Sequence, residues 1–134
     1  MVLQHHPLVI PMLVHVLWAA ILYVFLTVVR APAIWGIGKG PDGTNPWAGI
    51  EPRISANLSN QFEWPVLFYA ACILLIQQSL DGNAALLLAW IFVFGRVVHS
   101  LVQIFTKNVR LRGTVFTINF MAVLGLWGII AASS

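Results

Sequence analysis

The chain has 134 residues, of which 60% are hydrophobic and only 8% are charged. Soluble domains are roughly half apolar and about a quarter charged, so this composition predicts an all-α membrane protein and excludes an ordinary soluble enzyme. The formal net charge is +3, and we interpret this excess as a signal of membrane topology. We expect membrane lipid as a partner and no nucleic acid.

Four apolar runs cover residues 7–29, 64–80, 84–105 and 115–132, and each is near the ~20 residues that a transmembrane helix needs. They predict a four-helix transmembrane bundle with antiparallel, up-down topology in a single domain over residues 1–134. The expected helices cover residues 7–30, 52–80, 84–106 and 112–132. The first run lacks a basic start and a small-residue cleavage site, so we interpret it as a retained span.

The basic residues predict the orientation in the membrane. The second connection, "SLDGN", and both termini contain no Lys or Arg, whereas the other two connections are basic. By the positive-inside rule the basic connections are cytoplasmic and both termini lie on the non-cytoplasmic side. The residues concerned are Arg30, Lys39 and Arg53 around the first connection and Lys107, Arg110 and Arg112 around the third.

The second predicted helix begins with the polar stretch "RISANLSNQFE", which is too polar to face lipid. Helical periodicity places Arg53, Asn57 and Asn60 on one stripe, with Glu63 one turn further and somewhat to the side. A polar stripe of this kind must contact other polar groups. Pro65 removes one backbone hydrogen bond, so a kink is expected where the polar part enters the membrane.

In the third predicted helix, "RVVHSLVQIF" contains an arginine and a histidine three residues apart. Arg96 lies roughly 18 Å from the outer helix end at 1.5 Å per residue. A charge at that depth costs about 2.5 to 3.5 kcal/mol, so Arg96 is expected to face the bundle interior. His99 and Gln103 extend the same polar edge. Glu63 comes level with about His99, and we predict that Glu63 is the partner of Arg96.

With Arg30 at the end of the first helix and Arg110 and Arg112 at the start of the fourth, these groups predict a polar site that opens towards the cytosol. Guanidinium groups bind carboxylates through paired hydrogen bonds, so an anionic ligand is expected. Two plainer interpretations stay open. The three terminal arginines could be topological anchors, and the polar groups around Arg96 could only hold helices together.

A metal site is not expected. His99 has no second histidine and no cysteine near it in the predicted bundle. His5, His6 and His15 belong to the opposite end of the first predicted helix.

Two stretches, "RISANLSNQFEWPVLFYA" and "FGRVVHSLVQIF", resemble the MAPEG family, the membrane-associated proteins in eicosanoid and glutathione metabolism, and especially its bacterial-type members. The family pairs an Arg-x-x-x-Asn-x-x-Glu run on helix two with a Gly-Arg-x-x-His run on helix three. The segment from Gly95 to His99 fits the second run without gaps. The likeness extends over nearly the whole chain, including the long first connection.

The match on helix two has two possible registers. Arg53 and Asn57 fit the first half of the run but put Asn60 where the family has Glu. Alternatively, Asn60 and Glu63 fit the second half and leave Ala56 at the arginine position. The registers are one helical turn apart, and both stay open.

The resemblance implies a homotrimer in which glutathione, as cosubstrate, binds between neighbouring subunits. It further implies a glutathione-dependent transferase or peroxidase in a bacterial inner membrane, acting on lipophilic small molecules. Arg112 matches the helix-four arginine that activates the thiol and is the expected catalytic residue. The expected glutathione-binding residues are Arg30, Arg53, Asn57, Asn60, Glu63, Arg96, His99 and Arg110.

Some positions depart from the family pattern. Gln103 and Phe116 stand where family enzymes commonly have tyrosine, and Gly113 replaces the serine of the prostaglandin E synthase branch. Prostaglandin or leukotriene synthesis is therefore not expected. A non-catalytic protein that binds lipid or glutathione is an alternative. A small proton-coupled exporter using Glu63 is another, although such exporters usually carry a carboxylate deep in helix one, which has none here.

Overall fold

The computed structural model describes residues 5–134 and folds them into five α-helices without any strand. The all-helical fold class is thereby confirmed for the described residues. The helices are α1 (Val9–Trp35), α2 (Glu51–Asn60), α3 (Trp64–Gln77), α4 (Asn83–Phe105) and α5 (Val109–Ala132).

Within residues 5–134, three helices are long and apolar enough to cross a membrane, namely α1, α4 and α5. Four spans were expected. α3 is apolar but has only 14 residues, which is about 21 Å at 1.5 Å per residue against a hydrocarbon thickness of about 30 Å. The region predicted as one helix over residues 52–80 is instead divided between α2 and α3.

The helical conformation is interrupted between Asn60 and Trp64. Gln61 and Phe62 form a turn, and Glu63 has φ −98° and ψ −102°, outside the helical region. Pro65 lies in the first turn of α3, where its missing N–H costs no helical hydrogen bond. In a continuous helix its ring would clash with the carbonyl of Gln61, four residues earlier. The predicted kink at Pro65 is therefore a complete break.

Two apolar clusters hold the helices together. α4 and α5 make the most extensive contact and α3 packs against them, with Phe68 of α3 stacked on Phe92 of α4 at a ring-centroid distance of 4.3 Å. A second cluster joins α1, α2 and α4 through Leu22, Ile54 and Ile104. Only 22% of the apolar window of α1 is buried, so α1 presents most of its surface outward.

Polar contacts bring several helix ends together at one end of the molecule. The Nε of Arg30, late in α1, donates to Glu51 Oε1 at the start of α2 over 2.6 Å. The Nη1 of Arg53 donates to the carbonyl of Ile104 near the end of α4 over 3.3 Å. α5 begins four residues after α4 ends. We call this region the basic end, and its cations include Arg30, Arg53, Lys107, Arg110 and Arg112.

Candidate functional site

Two adjoining cavities of about 370 and 430 Å³ lie between α2, α4 and α5 at the basic end. They share part of their walls and form one open groove, which we call the basic groove. Its polar lining comprises Arg53, Asn60, His99, Gln103, Thr106, Lys107, Asn108 and Arg112.

Four of the predicted site residues line this groove: Arg53 and Asn60 from α2, His99 from α4 and Arg112 from α5. Arg112 is held by the way α5 begins. The side chain of Asn108 caps that helix and accepts a hydrogen bond from the backbone N–H of Leu111 over 3.0 Å. The first turn of α5 therefore presents Arg112 to the groove as part of a regular, capped helix.

Asn57 supports the groove from behind. It is fully buried, and its Nδ2 donates to Gln103 Oε1 over 2.9 Å. Asn60 donates to the same oxygen over 3.3 Å. Gln103 thus ties the polar stripe of α2 to α4, and the stripe predicted from periodicity contacts polar groups as expected. Asn57 itself lies behind the residues that line the groove and does not line it.

Arg96 is 1% exposed, which confirms that it faces the bundle interior. The prediction that Glu63 is the partner of Arg96 is wrong. Its Nε donates to Gln61 Oε1 over 3.3 Å, whereas Glu63 is exposed and makes no ion pair with it within 4.0 Å. The break after Asn60 explains the difference, because the turn points Gln61 inward and leaves Glu63 at the surface.

Gln61 is the centre of this polar interior, and its role was not predicted from the sequence. Its Oε1 also accepts from His15 Nε2 over 2.9 Å, and its Nε2 donates to Asn57 Oδ1 over 3.1 Å and to Ser100 Oγ over 3.4 Å. The available signal was its spacing, one helical turn after Asn57. The placement of His15 far from the polar site was also wrong, since His15 lies beside Gln61.

Arg30 and Arg110 do not line the basic groove. Arg30 pairs with Glu51 and also donates to Ser55 Oγ over 3.2 Å, and it borders a separate cavity of about 400 Å³. Arg110 is exposed. It lies two positions before Arg112, which corresponds to about 200° around a helix, so the two arginines project from nearly opposite faces of α5.

Some buried polar atoms near the groove have no hydrogen-bond partner among the described residues. They include Nη2 of Arg96 and Nδ1 of His99. Unpaired polar atoms are costly in a membrane interior. His99 lines the groove, but its Nδ1 is buried and does not face the open space.

Within residues 5–134, no group of three or more His, Cys, Asp or Glu side chains is arranged to hold a metal ion. The groove instead offers cations, amides and one imidazole. Such a set suits a polar anion.

The chain matches the model of the MAPEG family over residues 8–132. Searches of curated proteins and of solved structures found no match. MAPEG is a membrane family that includes glutathione transferases, peroxidases and other members. Three apolar helices and this match over nearly the full length agree with each other: the chain is an integral membrane protein that belongs to the MAPEG family.

Proposed function

We propose that the protein binds glutathione in the basic groove and uses its thiol to conjugate or reduce lipophilic electrophiles. The observation that carries the proposal is that Arg53, Lys107 and Arg112 border one open groove. Glutathione has two carboxylates, and guanidinium groups bind carboxylates in paired, charge-assisted hydrogen bonds. The cations of the groove therefore match the two carboxylates of the tripeptide.

The neutral groups of the groove also suit a peptide ligand. Asn60 and Gln103 contribute amides, and His99 contributes an imidazole. Amides serve both as donors and as acceptors, which matches the N–H and C=O groups of a peptide backbone. Together these residues would orient the ligand along the groove.

Arg112 is the proposed catalytic residue. Its guanidinium would stabilise the thiolate, which is the nucleophilic form of the thiol. In a transferase reaction on an aryl halide the thiolate attacks the carbon that carries the halogen, the carbon–halogen bond breaks, and a thioether and a free halide ion are formed. In a peroxidase reaction two glutathione molecules reduce a hydroperoxide to an alcohol and water and become one disulfide. Exposed apolar side chains at the groove, such as Phe116 and Val109, would face electrophiles that arrive through the bilayer.

We further propose a homotrimer in which a neighbouring subunit completes the site. Most of the apolar surface of α1 is not buried within the protomer and is therefore free to contact a neighbouring subunit. Arg30, Arg110 and Glu63, which do not line the groove of their own protomer, would then contribute from the subunit boundary. The charge distribution supports a cytoplasmic basic end in a bacterial inner membrane, with both termini on the other side.

The test is a titration of the detergent-purified protein with glutathione. Calorimetry measures binding, and absorbance measures formation of the thiolate. Arg112→Ala should weaken binding about tenfold, the effect of roughly 1.4 kcal/mol, and should abolish the thiolate signal. Lys39→Ala, which removes an exposed cation outside the groove and outside the predicted site, is the control and should leave both within about twofold. Absence of glutathione binding to the unchanged protein would refute the proposal.

A second candidate is a protein that binds glutathione or lipid without catalysis. Phe116 and Gln103 favour it, because they leave the groove without a tyrosine hydroxyl to assist the thiolate. Binding of glutathione by calorimetry without thiolate absorbance, and without consumption of an aryl halide or a hydroperoxide, would select this candidate.

A further inference from the structure

The basic groove contains cations without an acidic counterpart. Arg53, Lys107 and Arg112 border it, whereas no Asp or Glu lines it in the part of the chain that the structure describes. Glutathione carries two carboxylates and also one ammonium group. The cations of the groove attract the carboxylates, but they repel the ammonium group because the charges are alike.

The whole chain has only four acidic residues, and three of them are engaged or remote. Asp42 is exposed and accepts two hydrogen bonds within its own turn. Glu51 pairs with Arg30 over 2.6 Å. Asp81 precedes the opposite end of α4, a helix of 23 residues that is about 34 Å long. Glu63 is the fourth, and it is exposed outside the groove lining.

A neighbouring subunit in the proposed trimer would not change the sign of this charge. The charged groups proposed to come from the subunit boundary are Arg30, Arg110 and Glu63. Glu51 offsets the charge of Arg30, and the charges of Arg110 and Glu63 offset each other. The completed site therefore stays cationic, and an ammonium group within it is still repelled.

We propose that the basic groove prefers anionic thiols without an ammonium group, and that the neutral side chain of Asn60 sets this preference. The preferred substrates are carboxylate-bearing thiols whose amino group is absent or acylated, and this specificity rests on the proposed binding of a thiol in the groove. Asn60 lines the groove and is half-buried. A carboxylate at position 60 would pair with an ammonium group, whereas an amide leaves that group without a counterion.

Asn60 can be replaced at small cost to the fold. Its Nδ2 donates to Gln103 Oε1 over 3.3 Å, but Asn57 donates to the same oxygen over 2.9 Å. The link between α2 and α4 is therefore kept in Asn60→Glu. Asn60→Gln is the matched control, because glutamine has the length of glutamate and no charge.

The experiment is a calorimetric titration of the detergent-purified protein with glutathione and with glutaryl-cysteinylglycine. The second ligand has a hydrogen atom in place of the ammonium group and keeps the thiol and both carboxylates. We expect the unchanged protein to bind it about tenfold more tightly than glutathione. The preference should shrink at high salt, because salt screens the repulsion. Asn60→Glu should reverse the preference, and Asn60→Gln should keep it.

Equal dissociation constants for the two ligands, or tighter binding of glutathione, would overturn this specificity and leave the proposed function standing. If Glu63→Gln then abolished a preference for glutathione, Glu63 would be the partner of its ammonium group. A preference for glutaryl-cysteinylglycine that persists in Asn60→Glu would overturn the role of Asn60. Binding of neither ligand would refute the proposed function as well. The comparison on the unchanged protein needs no variant, so it decides the question even if Asn60→Glu does not fold.

Discussion

The side chain of Arg96 on α4 donates to the amide oxygen of Gln61 over 3.3 Å. The most deeply placed arginine of the bundle therefore meets a neutral amide where a carboxylate was expected. The amide also binds His15 and Asn57, so a single side chain connects α1, α2 and α4 in the membrane interior. Loss of the Gln61 side chain should therefore lower the free energy of unfolding more than the loss of any surface charge nearby.

We therefore expect Gln61→Leu to lower the free energy of unfolding by at least about 2 kcal/mol, since it leaves the buried guanidinium and imidazole without their acceptor. Glu63→Gln, two positions away and exposed, should change it by no more than about 0.5 kcal/mol. Both are measured by unfolding of the purified protein in mixed micelles. The reverse order of effects would restore Glu63 as the partner of Arg96.

The contact between Gly95 and Asn119 makes a second prediction. A Cβ at position 95 would overlap the side-chain oxygen of Asn119, which is fully buried. Gly95→Ala should push α5 away from α4 and destabilise the protein by about 1 to 3 kcal/mol. Gly128→Ala is the control, since a Cβ there has no neighbour within 4 Å. Thermal unfolding in detergent compares them, and equal melting temperatures would contradict a close approach at Gly95.

Restoring a hydroxyl to the basic groove should strengthen its proposed chemistry. Phe116 lies beside His99 with a ring-centroid distance of 6.1 Å and lines the groove. In Phe116→Tyr a new hydrogen bond to the bound thiolate, worth about 1.5 kcal/mol, should raise the ratio of thiolate to thiol in bound glutathione about tenfold. Absorbance of the thiolate at fixed pH measures the change.

The control for this variant is Phe120→Tyr. Phe120 lies one turn further along α5 and stacks on Trp64 with a ring-centroid distance of 4.6 Å. Its hydroxyl would lie outside the groove lining, so the thiolate signal should not change. An equal gain in both variants would show that the effect does not come from the groove.

The ion pair between Arg30 and Glu51 should contribute little to stability despite its short distance of 2.6 Å. The two side chains are 42% and 23% exposed, and solvent-accessible pairs contribute about 0 to 1 kcal/mol. A double-mutant cycle with Arg30→Gln and Glu51→Gln, at low and high salt, measures the coupling. A coupling above about 2 kcal/mol that ignores salt would contradict this expectation.

Much of the candidate site follows from residue type and helical spacing. Arg53, Asn60, His99 and Arg112 were all predicted, and all four line the basic groove. Such predictions work because the cost of a charge in hydrocarbon forces polar side chains on neighbouring helices to face each other. For the same reason, the position of Arg96 deep within an apolar run was enough to predict that it faces the bundle interior.

The sequence alone therefore specified the membrane class, the apolar helices and the inward direction of Arg96, because hydrophobicity and helical periodicity are local properties of the chain. Only the tertiary structure decided between Gln61 and Glu63 as its partner. That choice depends on a few backbone angles at the break before Pro65 and on His15, which is 46 residues away along the chain. A hydrogen bond requires positions accurate to a few tenths of an ångström, and residue spacing does not provide that accuracy once a helix is broken.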